Sequence, residues 1–153
     1  MTMTELLTDD IRSHIGRSGP PARVTVTRVD IQKYSAATGQ TRQAFLDGDE
    51  APPLFHFNLG LPVLPLDQLR PDGLADDPLI PELPLKRIMA GTCETTFHRP
   101  IRAGDELVVT RWLDDIYEKQ GGSGPLIFVV LGLKIETAGG EPVLDELISR
   151  IAR

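Results

Sequence analysis

The sequence predicts an α+β domain in which a curled antiparallel sheet wraps one central, buried helix. Three observations carry this expectation. Beyond Leu85 come four long segments, Lys86–His98, Glu106–Glu118, Leu126–Thr137 and Val143–Ile151, rich in Val, Ile, Thr, Leu and Phe, the side chains that pack well on a pleated surface. The joints between them carry turn chemistry: Arg102-Ala103-Gly104-Asp105, Gln120-Gly121-Gly122-Ser123-Gly124 and Ala138-Gly139-Gly140-Glu141, which points to an antiparallel meander. Upstream, Leu54 to Leu61 is apolar on nearly every side and follows Pro52 and Pro53. Proline suits the first turn of a helix, where its missing N–H has no partner to lose. A helix that is hydrophobic all round is normally buried, so the sheet has to cover it, and sheets that long twist and curl.

The remaining elements follow in order. Leu6, Leu7, Ile11 and Ile15 stand near helical spacing within Glu5–Ile15, with Gly16 as a stop. Arg23–Thr27 alternates and reads as a short strand. Thr27 and Asp30, three apart ahead of Ile31, Tyr34 and Ala37, form a capping-box pattern for a helix ending at Gly39. Residues 40–50 lack a period and should be a surface loop. Residues 52–84 hold eight of the thirteen prolines, so the stretch after Pro62 should be an irregular connection. Val143–Ile151 also fits a helix through Leu144, Leu147, Ile148 and Ile151; the Gly139-Gly140 turn favours a strand.

A chain of 153 residues suits a single domain over 1–153, and at that size roughly 70% of the unfolded surface can be buried. The net charge of −6, with no Lys/Arg-rich run, argues against a nucleic-acid or anionic-membrane partner. The one cysteine, Cys93, excludes an internal disulfide framework and reads as a small packing residue in a reducing compartment. Neither a signal-peptide pattern nor an apolar run near the roughly 20 residues of a membrane span occurs, so the expected location is cytoplasmic. No His/Cys/Asp/Glu cluster has metal-ligand spacing. Phosphate-cradling glycine loops and a Gly-x-Ser-x-Gly elbow are absent as well.

Five pieces, His14–Ser18 (HIGRS), Ala51–Phe57 (APPLFHF), Pro84–Gly91 (PLKRIMAG), Phe97–Asp105 (FHRPIRAGD) and Glu118–Val129 (EKQGGSGPLIFV), occur in one order over most of the chain. In this the chain resembles the MaoC-like dehydratases, in particular the amino-terminal half of FAS1-type dehydratases and mesaconyl-CoA hydratase-like enzymes. The resemblance implies a single hot-dog fold and a reaction that adds water to, or removes it from, an acyl thioester. It implies no cofactor beyond the coenzyme A or phosphopantetheine of the substrate. Family members use an Asp and a His from a Gly-Asp-x-Asn-Pro-x-His motif, since one group must activate water while the other moves a proton at the carbon beside the carbonyl. Here the corresponding place reads Ala37-Thr38-Gly39-Gln40-Thr41-Arg42-Gln43-Ala44. Gln40 stands where the Asp would be and no His follows, so the expectation is a half that shapes the acyl pocket, as a homodimer or paired with a catalytic MaoC-like chain.

Among candidate residues, His56 would lie in the first turns of the buried helix, whose positive end could polarise a thioester carbonyl; the bland reading is a buried imidazole with a backbone partner. Pro53, Leu54, Phe55 and His56 are the expected substrate-facing start of that helix. Arg87 and Arg99 could pair with phosphate oxygens or serve the surface, and Gly91 could admit a pantetheine arm or mark a bulge. His98 reads as a structural corner residue. Asp47, Asp49 and Glu50 precede the helix where some hot-dog thioesterases place a carboxylate, or form a solvated loop. A homo-oligomeric thioesterase and a non-catalytic acyl-CoA-binding hot-dog remain the alternatives.

Overall fold

The computed structural model describes residues 5–153. Five strands, β1 (Ala22–Thr25), β2 (Ile88–Phe97), β3 (Glu106–Gly121), β4 (Gly124–Thr137) and β5 (Pro142–Ala152), form one antiparallel, unclosed sheet in the order β1-β3-β4-β5-β2. The four long segments are therefore strands, and Val143–Ile151 belongs to β5 rather than to a helix. Irregular register at Ala90/Cys93, Leu113/Asp115 and Ile135/Glu136 adds local twist and bends the sheet. The β3–β4 hairpin turns through Gly122-Ser123, flanked by the pair Gly121 and Gly124.

The helices are shorter than their patterns suggest. The expected helix over Glu5–Ile15 is one turn, α1 (Asp9–Arg12), capped by Thr8, whose hydroxyl accepts from the Ile11 N–H. Leu6 is drawn out of helical geometry because its N–H goes to the Glu118 carboxylate at 3.1 Å. The helix α2 (Arg28–Ala37) matches its expected cap: the Asp30 N–H donates to the Thr27 hydroxyl at 3.1 Å, and that hydroxyl donates to the Asp30 carboxylate at 2.5 Å. Within the expected loop 40–50, one turn, α3 (Gln43–Leu46), forms because Phe45 buries its ring.

The main correction concerns the central helix. In place of a helix over Leu54–Leu61 there is a single 3-10 turn, Phe55–Asn58, entered through Leu54 at φ 71° and left through Gly60 at φ 73°. Left-handed backbone at both ends stops a longer helix. The segment is also not apolar-buried all round: Phe55, His56 and Leu59 point inward, while Leu54 is 47% and Phe57 43% exposed. At Gly60 a Cβ would press on Val109 at 3.3 Å, so close approach to β3 demands glycine as well. After it the Pro-rich connection carries only the 3-10 turn Leu66–Gln68.

Two buried clusters line the concave face. One joins Val26, Ile31, Phe55, Leu59, Val109 and Leu144; the other joins Leu7, Leu79, Leu83, Leu113, Ile127 and Leu131. Each fully buried aliphatic side chain contributes about 1.5–3 kcal/mol. Between the clusters a single transverse row crosses the sheet, pairing Arg111 with Leu133, Leu133 with Glu146 and Glu146 with Thr95. Its two charges are met from the segment that lies over the sheet, Arg111 by Asp77 at 2.6 Å and Glu146 by His56 at 2.7 Å. The edge strand β2 is different, because every residue of it except Thr95 is exposed on the isolated chain.

Candidate functional site

The Pro-started turn delivers His56 to the concave face, and strand alternation delivers Glu146 to the same point. On β5 the inward positions run Leu144, Glu146, Ile148, so an acidic residue takes the place of a core aliphatic. His56 Nε2 lies 2.7 Å from Glu146 Oε2, with side-chain exposures of 1% and 2%. The same oxygen accepts from Thr95 Oγ1 at 2.7 Å and faces Cys93 Sγ at 3.5 Å. All three contacts converge on the one carboxylate oxygen, Oε2. Phe57 stacks on the imidazole with centroids 4.6 Å apart, and Phe97 meets it edge-on at 6.0 Å. These two phenylalanines are half-exposed and form the rim.

His56 Nδ1 is buried and has no hydrogen-bond partner. An unpaired buried polar atom costs about 1–3 kcal/mol, which native cores rarely carry without a reason. His56 is thus buried, as its bland reading had it, but its partner is a carboxylate and not the backbone. The expected polarising helix end is not built: one 3-10 turn lacks the run of aligned dipoles for it.

The other candidates fall elsewhere. Phe55 is a core residue, edge-on to Tyr34 at 5.5 Å, and with Val24, Val26 and Leu59 it borders a groove of about 510 Å³ beside α2. Pro53 and Leu54 are exposed on the outer side of the turn. Arg99 is committed to the corner: its guanidinium holds Asp105 through two bonds, 2.8 and 3.1 Å long, and its Nε lies 3.3 Å from Glu141 without hydrogen-bond alignment. It is not free to clamp a phosphate. Burial pushes the Asp105 carboxyl up, but Arg99 and the Arg102 N–H outweigh that and hold it below the usual carboxylate range. His98 keeps its expected corner role, bonded to Asp145 at 2.7 Å.

Arg87 is exposed, its backbone paired with Arg153. It precedes β2, and at the strand rise it stands about 25 Å along the chain from Thr95, so it does not join His56. Gly91 marks the β2 bulge: a Cβ there would sit 2.1 Å from Ser149 Oγ, the atom that accepts from the Thr92 N–H. Cys93, expected to pack, is exposed on the uncovered strand. Asp49 pairs with Arg28, Glu50 with Arg42 at 2.9 Å, and Asp47 accepts from Gln43 at 2.7 Å. Each of these carboxylates has its own surface partner, away from His56. Gln40 bonds Thr38 at 3.3 Å just past α2. Among the described residues no group of three metal-ligating side chains converges, and no helix is long and apolar enough to cross a membrane.

Glu146 and Thr95 escaped sequence reasoning. The available signal was the alternation Leu144-x-Glu146-x-Ile148: once Val143–Ile151 is a strand, Glu146 falls on the apolar face, where a carboxylate requires a partner.

Comparison with known proteins agrees with this architecture. The chain is 38% identical over 85 residues to mesaconyl-C(4)-CoA hydratase of Chloroflexus aurantiacus, a match covering 55% of this chain and 30% of the hydratase, so it spans under a third of that relative. It is 29% identical over 146 residues to a UPF0336 protein of Streptomyces coelicolor, covering 93% of this chain and 94% of the relative. Among solved structures, the ChsH1-ChsH2 complex of Mycobacterium tuberculosis superposes with a TM-score of 0.64 at 20% identity, over 94% of this chain and 91% of the other. The HadBC (3R-hydroxyacyl-ACP dehydratase) complex of the same organism gives 0.58 at 20% identity, over 95% and 100%. The fold is the hot-dog fold, here with its central helix reduced to one turn. Residues 13–146 match the family model of the FAS1-like dehydratase domain region, and the chain belongs to that family of MaoC-like hot-dog proteins.

Proposed function

We propose that the chain is a subunit of an enoyl-thioester hydratase or 3-hydroxyacyl-thioester dehydratase that shapes the acyl pocket, while a partner hot-dog chain supplies the Asp and His. The observation that carries this reading is the uncovered concave face of β2 beside the buried His56–Glu146 pair. Phe57 and Phe97 stand half-exposed around the His56 ring, apolar surface that a second chain and a ligand would cover. Gln40, an amide that neither takes nor gives a proton near neutral pH, stands where the family's acid would be. The relatives support the class: one is a mesaconyl-C(4)-CoA hydratase, and two structural neighbours come from the ChsH1-ChsH2 and HadBC complexes.

In the reaction, water oxygen bonds to C3 of the enoyl thioester and a proton is delivered to C2; dehydration reverses both. The partner's Asp and His handle those two transfers. This chain's Phe57 and Phe97 receive the acyl chain and exclude water, and the thioester carrier, coenzyme A or phosphopantetheine, is part of the substrate. The exposed Cys93 thiol suits a reducing, cytoplasmic setting.

The test is an assay on crotonyl-CoA of the chain alone, and of the chain mixed with a MaoC-like protein carrying the Gly-Asp-x-Asn-Pro-x-His motif. Loss of enoyl absorbance only in the mixture is the expected result. Free thiol released by the chain alone would replace this reading with a thioesterase, and ligand binding without turnover in either sample would replace it with an acyl-CoA-binding protein.

A further inference from the structure

We propose that His56 Nδ1 is a ligand-binding atom, the acceptor for a hydroxyl or amide hydrogen brought by the thioester. This rests on the reading above, that a thioester occupies the concave edge. Glu146 Oε2 takes its hydrogen bonds from His56 Nε2 and Thr95 Oγ1, both at 2.7 Å. The carboxylate accepts, so Nε2 carries a hydrogen, and a ring with that single hydrogen presents its lone pair at Nδ1. That lone pair is buried and meets no donor in the chain. A structural histidine could satisfy both nitrogens; this one is held at Nε2 by Glu146, itself bonded by Thr95, and its buried Nδ1 has no partner.

What covers it is aromatic. Phe57 lies against one face of the ring at 4.6 Å and Phe97 against its edge at 6.0 Å, both half-exposed. Once a ligand is in place, the apolar surroundings strengthen a hydrogen bond made there. Two parts of the ligand class carry the right chemistry: the 3-hydroxyl of a 3-hydroxyacyl chain and the amide N–H groups of pantetheine. If the hydroxyl is the donor, the pair also sets selectivity, because an enoyl chain leaves the buried acceptor unpaired and is disfavoured.

The experiment is side-chain nitrogen NMR of the histidine-labelled full chain, alone and in complex with its hot-dog partner, titrated with 3-hydroxybutyryl-CoA, crotonyl-CoA and free coenzyme A. The expected free state has a hydrogen on Nε2 and an unbonded Nδ1. A shift of Nδ1 to the hydrogen-bonded range with 3-hydroxybutyryl-CoA alone identifies the hydroxyl, and a shift with all three identifies pantetheine. His56→Leu should weaken binding of the donor ligand about 3- to 10-fold, the loss of one neutral hydrogen bond. His56→Gln, whose amide oxygen can accept, should restore part of it. Binding of 3-hydroxybutyryl-CoA with Nδ1 unchanged overturns this inference alone; binding of none of the three ligands overturns the function proposed above along with it.

Discussion

His56 and Glu146, 90 residues apart in the chain, meet at 2.7 Å between the two halves of the core. The contact fastens the Pro-started turn to the middle of the sheet. Removing one partner leaves the other buried and uncompensated, which costs more than the pair contributes. His56→Leu or Glu146→Leu should each lower unfolding free energy by about 1–3 kcal/mol, the cost of a buried polar group left without its hydrogen-bond partner. The double variant should recover part of that loss, because two apolar side chains then pack where two polar ones stood. Urea unfolding of the three variants checks it, and strictly additive losses would contradict the coupling.

Arg99 and Asp105 make the corner before β3 sensitive to acid. The folded carboxyl of Asp105 lies below its ordinary value because Arg99 and the Arg102 N–H outweigh burial. A lowered folded value means that the pair contributes stability above the unfolded carboxyl value, about 3.9, and loses it as pH falls through the folded value. Asp105→Asn should therefore be less stable than the parent at pH 7, with the gap closing below about pH 4. Thermal melts across that range measure it.

Trp112 lies over Gly132 on the neighbouring strand, where an added Cβ would sit 2.0 Å from the indole. Gly→Ala in a strand is otherwise mildly favourable, by roughly 0.5–1 kcal/mol. Here overpacking should win, and Gly132→Ala should destabilise by about 1–3 kcal/mol. Since Trp112 is the one tryptophan, its fluorescence should change in the folded state as the ring is displaced.

Asp77 ties the Pro-rich segment to the sheet through Arg111 at 2.6 Å and Arg150 at 3.9 Å. Asp77→Ala should cost about 1–3 kcal/mol by leaving guanidinium groups without their acceptor. Limited proteolysis within residues 61–76 should then outpace that of the parent.

The β2 edge offers Met89 to solvent on the isolated chain. Met89→Lys should change monomer stability by less than about 0.5 kcal/mol, as a surface substitution does. A charge on an edge strand blocks pairing, so assembly with a second hot-dog chain should be lost. Gel filtration of the mixture, beside the urea midpoint of the single chain, separates the two effects.

Much of this fold was legible in the residues because its signals are local. Alternation and Gly-rich turns located β2 to β5, and Thr27 with Asp30 marked the start of α2. Leu54–Leu61 misled for a physical reason: a run of apolar side chains reports burial, but a helix also needs helical backbone, and the left-handed Leu54 and Gly60 deny it. Leu54 and Phe57 are apolar yet face outward, and the pattern alone does not distinguish a buried side chain from one left for a partner or ligand. The site was half-legible. His56 stood out as a histidine in an apolar run, whereas Glu146 looked like any acidic residue until the strand assignment turned it inward.

Alternation and turn chemistry were sufficient to predict an antiparallel α+β chain, and the order of its motifs carried the resemblance to the hot-dog dehydratases. Which charges meet was left to the tertiary structure: strand register brought Glu146 into one row with Arg111, and the overlying segment supplied His56 and Asp77 to them. Such pairings depend on contacts between residues far apart in the chain, where each desolvated charge must find a partner, and no short window of sequence contains both members.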